Sequence, residues 1–388
     1  ARSIRAWADP GNRSMQEALQ TAIAHSPYPP DDIREQLDAL RSSLTHGSLA
    51  RWVEAASDPA HPSGQAPASG PGRPPVVLGL QAGNLPLAGV QDAVAVLLAG
   101  GVYVGKCSRR EPWLSGSLLD HLAADGFAVA GHSADIRTLA PIVRAKTGSA
   151  ADAVLFSGSA ESVPRVRDAL FQAGLHAPGV TRELIRTAHL SIAWLTAPLV
   201  VKQTAADGAT PAVEDAPPPG QPETAAADRL VRSILVHDNR GCRSTAVVVS
   251  PESLADAAPA LRDAERRFSD AREHRNGLGN GLGDGRILVE RACDTALGIE
   301  CLDLGRALIT CRADWPEQPG IVHWVQGGAR EIADLLSRAG QAVQSVYMDA
   351  PPSTFRALLA DSAPSPDDAL RWSRRVEPLA AAQAPPVD

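Results

Sequence analysis

Aromatic side chains, paired cysteines and metal-binding clusters are scarce in this chain of 388 residues, and each scarcity excludes a class of protein. Phe, Trp and Tyr together make up 4% of the residues. The five cysteines are odd in number, none forms a Cys-x-x-Cys pair, and no Cys/His cluster has the spacing of a zinc site. We therefore expect reduced thiols and no metal, as in a protein of the cytosol.

Long apolar runs and a strong excess of positive charge are also missing. No segment reaches the ~18 apolar residues of a membrane-spanning helix, and the polar stretch from Ala1 to Gln16 holds no signal-peptide core. The net charge of −7 argues against a nucleic acid or an anionic membrane surface as the main partner. These features predict a soluble, cytoplasmic protein without a membrane span.

The composition, with 44% hydrophobic and 21% charged residues, is that of a globular protein. A chain of this length favours two domains over a single core. Apolar residues recur at helical spacing in residues 1–58, which we predict to be a helical N-terminal arm. Residues 59–74 are rich in Pro, Gly and Ser and are predicted to be a linker.

From Pro75 onward, short apolar strands alternate with helices, a pattern typical of a parallel, doubly wound sheet. The strands predicted in residues 75–188 are Val76–Leu80, Val102–Val104, Phe127–Val129 and Ala153–Phe156. The helices predicted there are Val90–Leu98, Leu114–Ala124, Ile136–Arg144 and Val163–Gln172. The predicted fold class is therefore α/β, with a Rossmann-type parallel sheet in this domain.

A second α/β domain is predicted over residues 189–350. It begins with an apolar, strand-rich segment, Leu190–Val201. Its predicted strands are Thr245–Val249, Ile287–Val289, Ala307–Thr310, Ile321–Val325 and Val343–Tyr347. Its predicted helices are Ala225–Val236, Leu261–Arg272 and Arg330–Ala339. Two stretches of low complexity, 204–224 and 276–285, are predicted to be flexible insertions. The second is rich in glycine but does not fit the nucleotide-binding pattern G-x-G-x-x-G. Residues 351–388 are predicted to be a C-terminal segment that returns to the domain and ends in a tail. The tail is predicted to be frayed from Ser362 onward.

Two strand-to-helix turns of the first domain carry polar groups that could bind a ligand. Asn84 follows the first strand, and its amide could donate a hydrogen bond to an oxyanion or merely shape a turn. Lys106 ends the second strand and is followed by the hydroxyl of Ser108. A lysine at the carboxyl end of a parallel strand could hold ribose hydroxyls or a 2′-phosphate, or it could extend into solvent.

A third turn follows the fourth predicted strand and contains Gly158 and Ser159. Gly158 would allow a close approach of the backbone, and Ser159 with the helix N-terminus would offer donors to a pyrophosphate. Plain N-capping of the helix by serine is the alternative.

Cys242 lies on a polar turn between a predicted helix and a predicted strand. The flanking Arg240 and Arg243 would lower the pKa of its thiol and raise the thiolate fraction. A thiolate there could attack a carbonyl or a thioester and form a covalent intermediate, whereas a small buried hydrophobic residue is the alternative. His189, His237 and His323 are candidate acid or base groups, although lone histidines are more often structural.

These segments, in this order, resemble the aldehyde dehydrogenase superfamily, and within it the acyl-CoA reductase (LuxC-like) family. The motifs that carry the resemblance are Gly83-Asn84-x-Pro86-Leu87, Gly105-Lys106-x-Ser108, Phe156-Ser157-Gly158-Ser159 and Cys242 after a helix. The resemblance covers roughly residues 75–355, and the helical arm before them is similar to the same family.

The resemblance implies an NADP(H)-binding domain over residues 75–188 and a catalytic domain over residues 189–350. It implies that Cys242 is the acylated nucleophile, that Asn84 helps to form the oxyanion hole, that Lys106 contacts the adenosine ribose or its phosphate, and that Ser159 lies near the pyrophosphate. It further implies NADPH, or alternatively NADH, as the cofactor, acyl-CoA or an acyl-carrier protein as the substrate, and a homo-oligomer.

One departure from the superfamily bears on the reaction. Hydrolytic members carry a water-activating glutamate in a Glu-Leu-Gly-Gly-Lys segment, and the matching region here, Thr187 to Ile192, has none. A thioacyl enzyme without that base is better suited to exchange with a thiol. We therefore expect an NADPH-dependent reductase of acyl thioesters. The alternatives are a cysteine-dependent acyl-phosphate reductase, an acylating aldehyde dehydrogenase, and a non-catalytic scaffold with the same fold.

Overall fold

The structure is a computed structural model, and it describes residues 1–26, 28–56, 73–83, 85–158, 160–187, 190–199, 226–239, 241, 243–276, 285–339, 342–373 and 375–382. The chain divides into two compact units. Unit 1 falls within Ala1–Ala188 and unit 2 within His189–Gln383. Within the described ranges, no helix is both long enough and apolar enough to cross a membrane.

Unit 1 is built on a sheet of five parallel strands. In chain order its elements are α1 (Arg2–Trp7), α2 (Arg13–His25), α3 (Pro30–Ser43), α4 (His46–Ala56), β1 (Val76–Leu80), α5 (Val90–Leu98), β2 (Val102–Lys106), α6 (Trp113–Ala124), β3 (Val129–Ser133), α7 (Ala140–Thr147), β4 (Ala153–Ser157), α8 (Val163–Gln172) and β5 (Arg182–Arg186). The strand order is β3-β2-β1-β4-β5, so the chain reverses its direction of travel between β1 and β4. All five residues of β1 are buried because helices cover both faces of the sheet.

The four N-terminal helices pack against helices α5 and α6 of unit 1. Their apolar residues, including Trp7, Met15 and Leu37, share one core with residues of α5 and α6. The indole nitrogen of Trp7 also donates a hydrogen bond to Ser117 Oγ on α6 at 3.0 Å. Helices α1–α4 therefore contribute to the core of unit 1.

Unit 2 is built on a second, seven-stranded sheet. Its elements are β6 (Leu190–Trp194), α9 (Ala226–Leu235), β7 (Thr245–Ser250), α10 (Leu254–Asn276), α11 (Gly285–Ala296), β8 (Cys301–Asp303), β9 (Leu308–Thr310), β10 (Ile321–Gln326), α12 (Ala329–Ala339), β11 (Val343–Met348), α13 (Phe355–Leu359), α14 (Pro366–Ser373) and β12 (Val376–Pro378). The strand order is β12-β11-β6-β7-β10-β9-β8, and only the β8–β9 pair among these is antiparallel. Successive residues of β7 enter cores on opposite faces, Val247 and Val249 on one side and Val248 on the other.

The predicted α/β class with a parallel, doubly wound sheet is confirmed by this architecture. Two local predictions in unit 2 are wrong. Ile287–Val289 is part of helix α11 and not a strand, because a short apolar run fits either period and Ile287 alone packs inward, against Leu308 and Ile321. The tail predicted to be frayed from Ser362 instead forms α14 and β12, and β12 pairs in parallel with β11.

Two strands of unit 1 differ from the sequence prediction. The third strand begins at Val129 and not at Phe127, whose side chain is exposed. Strand β5 is not predicted at all, because its charged residues Arg182, Glu183 and Arg186 hide the alternating pattern. Such charges are compatible with its place at the edge of the sheet, where one face and one side of the strand meet solvent.

Candidate functional site

The structure describes some of the predicted site residues and not others. Lys106, Ser108 and Gly158 lie within the described residues. Asn84, Ser159 and Cys242, together with Arg240 and His189, lie outside them. For these the structure gives the position of the neighbouring residues in the chain, and their roles stay predictions.

The loops that follow β1 and β2 lie against each other at the carboxyl edge of the first sheet. The backbone N–H of Gln81 donates to the carbonyl oxygen of Lys106 at 3.0 Å. A Cβ atom on Gly83 would lie 2.9 Å from Ser108 Oγ, so glycine is what allows the two loops to approach this closely. The two segments singled out in the sequence, around Asn84 and around Lys106, therefore come from neighbouring loops.

Lys106 is the last residue of β2, and its side chain is half-buried. Burial and, to a lesser degree, the positive charge of Arg109 lower the pKa of the Lys106 ammonium. An anion bound beside Lys106 would offset both effects, because an opposite charge favours the protonated ammonium. Ser108 is buried, and its Oγ accepts a hydrogen bond from the N–H of Arg110 at 3.1 Å, so this hydroxyl shapes the loop that presents the cations.

Two further residues of this loop, Cys107 and Glu111, were not singled out in the sequence. Burial raises the pKa of the Cys107 thiol to about 12, which argues against a nucleophilic role. Glu111 is also buried; one carboxylate oxygen accepts from the N–H of Leu114 at 2.7 Å, while the other has no hydrogen-bond partner among the described residues. Burial accordingly raises the pKa of Glu111. A carboxylate just before a proline at a helix start, Glu111-Pro112, is the sequence signal that could have indicated this cap.

The N-terminal helices contribute a contact to the loop that contains Asn84. The hydroxyl of Tyr28 donates a hydrogen bond to the carbonyl oxygen of Gly83 at 2.6 Å. Leu87, on the other side of the same loop, is buried and has a φ of 58°. A left-handed leucine is strained, so the surrounding packing must impose this backbone conformation.

Gly158 lies close to a neighbouring ring. A Cβ atom at this position would lie 2.5 Å from the ring of Phe156, and the Gly158 N–H donates to the carbonyl oxygen of Arg186 at 3.0 Å. The glycine thus joins the ends of β4 and β5, and its predicted contact with a pyrophosphate stays a prediction.

In unit 2, the residues around Cys242 form a tightly connected turn between α9 and β7. His237 and Asn239 have φ values of 60° and 56°, which are rare for residues other than glycine. The side-chain amide of Asn239 donates to the carbonyl oxygen of Thr245 at 2.8 Å. Gly241 and Ser244 are joined by two hydrogen bonds, from Gly241 N–H to Ser244 Oγ at 3.1 Å and from Ser244 N–H to the Gly241 carbonyl at 2.9 Å. These bonds fix the chain on both sides of Cys242.

Arg243 is buried, and its charge is matched by a carboxylate. Its guanidinium pairs with Glu377 on β12, with one Nη1 to Oε1 distance of 3.2 Å, and it lies 5.6 Å from the centre of the Tyr347 ring. The sequence indicated a bare positive charge beside Cys242, and it gave no sign of the partner, which is separated by 134 residues along the chain. Burial raises the pKa of Tyr347 to about 12, so this ring stays neutral beside the ion pair.

Two other charged groups are committed to structural contacts. Glu183 on β5 accepts from Nε of Arg167 at 2.9 Å and lies 2.9 Å from Nε2 of His176, and the Arg167 guanidinium lowers the pKa of Glu183. His323, a candidate acid or base in the sequence, is buried on β10, where its Nδ1 lies 2.7 Å from the carbonyl oxygen of Asp314. In the part of the chain that the structure describes, no group of three or more His, Cys, Asp or Glu side chains is arranged to hold a metal ion.

Comparison with known proteins gives matches among solved structures alone. No family model matches the sequence, and no curated protein matches it. A putative methylmalonate-semialdehyde dehydrogenase from Sinorhizobium meliloti, solved with NAD, superimposes with a TM-score of 0.54 at 14% identity, over 99% of this chain and 77% of that one. A NAD-dependent benzaldehyde dehydrogenase from Corynebacterium glutamicum gives a TM-score of 0.54 at 13% identity, over 97% and 77%. The chain has an aldehyde dehydrogenase fold.

Proline utilization A from Bdellovibrio bacteriovorus is also similar, with a TM-score of 0.52 and 15% identity over 97% of this chain. The chain spans 38% of the length of that protein. These likenesses confirm the predicted resemblance to the aldehyde dehydrogenase superfamily at the level of the fold. The acyl-CoA reductase family within it is not tested by them.

The strand order of unit 1 shows where its loops lie relative to the usual ligand site of an open α/β sheet. In open α/β sheets, ligands bind outside the carboxyl ends of the strands where the strand order reverses. Here the order reverses between β1 and β4. Gly83 lies in the loop after β1, and Lys106 is the last residue of β2. The loops that carry the predicted cofactor contacts therefore lie at the edge where open α/β sheets bind their ligands.

Proposed function

We propose that the protein reduces an acyl thioester to an aldehyde with NADPH, through a thioacyl intermediate on Cys242. The observation that carries the proposal is the fixed turn between α9 and β7, which holds the chain on both sides of this cysteine within an aldehyde dehydrogenase fold. Strained, hydrogen-bonded turns with left-handed residues such as His237 and Asn239 cluster at active sites, where they orient a reacting group.

A nicotinamide cofactor fits the donors at the end of β2. Lys106, Arg109 and Arg110 place three positive charges within five residues, and Ser108 shapes the loop that presents them. A 2′-phosphate is recognised by such cations, whereas a ribose diol is recognised by a carboxylate. The nearest acid after this loop, Glu111, is buried as a helix cap. These groups favour NADPH over NADH.

The carboxylate of the adjoining β3 turn supports the same preference. Asp135 accepts from the Nη2 of Arg137 at 2.9 Å, and this hydrogen bond lowers the pKa of Asp135 to about 2. An aspartate already engaged in this way is a poor acceptor for ribose hydroxyls.

In the proposed reaction, the Cys242 thiolate attacks the carbonyl carbon of the acyl thioester, and the bond from that carbon to the departing thiol breaks. The Asn84 amide donates a hydrogen bond to the oxyanion formed in this step. When bound, NADPH supplies the hydride that converts the enzyme thioester into a thiohemiacetal. Collapse of the thiohemiacetal releases the aldehyde and restores the Cys242 thiolate, so that one thioester and one NADPH with a proton give one aldehyde, one free thiol and NADP⁺.

A reductase is favoured over an acid-forming dehydrogenase because a water-activating base is missing from the expected segment. The glutamate closest before that segment, Glu183, is ionised and held between Arg167 and His176. A carboxylate whose lone pairs are engaged by an arginine and a histidine is a weak general base. Coenzyme A, or the thiol of a carrier protein, is accordingly the proposed acyl donor, and the proposal extends to a homo-oligomer that works in the cytoplasm.

The proposal is tested by mass spectrometry of the intact protein after incubation with a series of acyl-CoA esters, followed by peptide mapping. We expect one acyl group per chain on Cys242 and NADPH oxidation that depends on the thioester. Cys242→Ala should abolish both while leaving NADPH binding intact. Cys293→Ala, which removes an exposed thiol on α11, is the matched control and should behave as the unchanged protein.

Three outcomes would count against the proposal. Full turnover by Cys242→Ala would exclude the covalent role. Faster acylation by an acyl phosphate than by acyl-CoA would assign the protein to acyl-phosphate reduction. Failure to bind NADPH, with Cys242 inert to iodoacetamide, would assign it to a non-catalytic role on the same fold.

A further inference from the structure

An arginine at the carboxyl edge of the first sheet is held by a buried carboxylate. Arg186 is the last residue of β5, and its Nη1 lies 2.8 Å from Oδ1 of Asp92 on α5. The Asp92 side chain is only 7% exposed, whereas 46% of the Arg186 side chain remains exposed. The ion pair therefore anchors the guanidinium from within the protein and leaves much of it accessible.

The geometry of this ion pair matters more than its contribution to stability. Taking a carboxylate out of water costs free energy, and a half-exposed arginine offsets only part of that cost. What the Asp92 carboxylate does supply is a fixed orientation for the planar guanidinium of Arg186. A guanidinium has five N–H donors, so one that is anchored by a first carboxylate can still bind a second.

A hydroxyl lies next to Arg186 on the same face of the sheet. Ser157, the last residue of β4, is half-buried and pairs in register with Arg186, and registered residues of neighbouring strands point to the same side. That side is the one covered by α5, because Leu155 of β4 packs there with Ala93 of α5. The ends of β4 and β5 thus bring a hydroxyl and a guanidinium together.

These two donors are distinct from the predicted cofactor contacts. Lys106 ends β2, which is three strand spacings from β5, or roughly 14 Å. The predicted pyrophosphate site lies where α8 begins, and α8 packs on the opposite face of the sheet from α5, with Leu170 in one core and Ala93 in the other. An anion at Arg186 is therefore a third group, separate from the 2′-phosphate and the pyrophosphate of NADPH.

We infer that Arg186, oriented by Asp92 and assisted by Ser157, binds a carboxylate on the acyl group of the substrate, so that the protein prefers half-thioesters of dicarboxylic acids. The inference rests on the proposed reduction of thioesters with NADPH. A doubly wound sheet binds one half of a dinucleotide on each side of the point where the strand order reverses. With the 2′-phosphate at Lys106 on β2, the nicotinamide half falls on the side of β4 and β5. Arg186 lies on that side, where the acyl carbon must meet the hydride donor.

The charges at this end of the sheet favour a carboxylate over a phosphate. The charge of Arg186 is shared with Asp92, so the pair is close to neutral, and the buried carboxylate would repel a phosphate dianion. A carboxylate carries half that charge and accepts two parallel N–H bonds from a guanidinium. By contrast, Lys106, Arg109 and Arg110 gather three cations within five residues, which suits a dianion.

The experiment compares two thioesters of equal chain length, succinyl-CoA with a terminal carboxylate and butyryl-CoA with a terminal methyl group. NADPH oxidation gives kcat/KM for each, and the unchanged protein should prefer succinyl-CoA. Arg186→Gln should lower kcat/KM for succinyl-CoA roughly 13- to 160-fold, the equivalent of a hydrogen bond between charged groups, and leave that for butyryl-CoA nearly constant. Ser157→Ala should reduce the preference in the same direction. Arg182→Gln, which changes an exposed arginine at the other end of β5, is the matched control and should keep the preference.

A second variant guards against misfolding. Arg186→Gln leaves the charge of Asp92 buried without its partner, which destabilises a protein. The double variant Asp92→Asn/Arg186→Gln removes both charges together. It should fold, by circular dichroism and thermal melting, and should reduce the two thioesters at similar kcat/KM.

A further readout does not depend on turnover. Phenylglyoxal modifies accessible arginines, and peptide mapping follows the modification of Arg186 with Arg182 as an internal reference. Succinate should protect Arg186 alone, and butyrate should protect neither. Protection by inorganic phosphate at a lower concentration than succinate would overturn the inference, and so would equal kcat/KM for the two thioesters in the unchanged protein or a preference that survives in Arg186→Gln. If neither thioester is reduced and succinate still protects Arg186, the carboxylate site stands and the proposed thioester reduction fails, so the two failures are distinguishable.

Discussion

Replacing Lys106 with methionine should weaken NADPH binding far more than NADH binding. The substitution keeps the apolar stem of a half-buried side chain and removes its charge. A hydrogen bond from a cation to a phosphate contributes about 1.5–3 kcal/mol, which corresponds to a roughly 13- to 160-fold loss for NADPH. The loss for NADH should be smaller, because its ribose hydroxyls are neutral and lack the charge–charge attraction that the 2′-phosphate adds.

The dissociation constants can be measured by quenching of tryptophan fluorescence or by calorimetry. Lys146→Met is the matched control, because Lys146 is an exposed lysine at the end of α7, and it should bind both cofactors as the unchanged protein does. Affinity for NADPH should also fall as salt is added, and this fall should be shallower in Lys106→Met. Unchanged NADPH affinity in Lys106→Met, or equal losses for the two cofactors, would refute the assignment of a 2′-phosphate to this strand end.

Three further predictions concern unit 1. Tyr28→Phe removes the donor to the Gly83 carbonyl oxygen. The free energy of unfolding, measured by urea titration, should fall by about 1–3 kcal/mol. If the Gly83 loop positions Asn84, the same change should lower kcat more than it raises KM. Leu37→Ala, in a fully buried site of the N-terminal helices, should cost about 2–5 kcal/mol; a change below 0.5 kcal/mol would mean that these helices are not part of the core. Asp152→Asn removes a bidentate ion pair with Arg73. Because this ion pair lowers the pKa of Asp152, its contribution to the free energy of unfolding should be present above about pH 4 and should disappear as the pH falls below that value. A constant stability difference between Asp152→Asn and the unchanged protein from pH 7 to pH 2 would contradict this account.

The sequence predicted the class of fold because its strongest patterns are local. Short apolar strands such as Val76–Leu80, each followed by an apolar helix, have one stable solution, which is a parallel sheet covered on both faces. The same patterns placed Lys106 and Asn84 at strand ends, since the carboxyl ends of parallel strands share one edge of the sheet. Cys242 was placed on a turn between a helix and a strand by the same reasoning.

The hydrophobic pattern alone could not assign secondary structure where a strand carries many charges or an apolar run is short. Strand β5 carries arginines and a glutamate that only its edge position explains, and the run at Ile287 fits a helix as well as a strand. The docking of α1–α3 was also undetermined, because an amphipathic helix shows that it has a partner but not which surface the partner offers.

By itself, then, the sequence determined the alternation of strands and helices and the strand-end positions of the polar residues, because these depend on neighbours within a few residues. Only the tertiary structure decided which of those residues meet. It joined Tyr28 to Gly83 and Arg243 to Glu377, across 55 and 134 residues of chain. Contacts at such separations arise when packing closes long loops, and no local pattern of residues records which loops close.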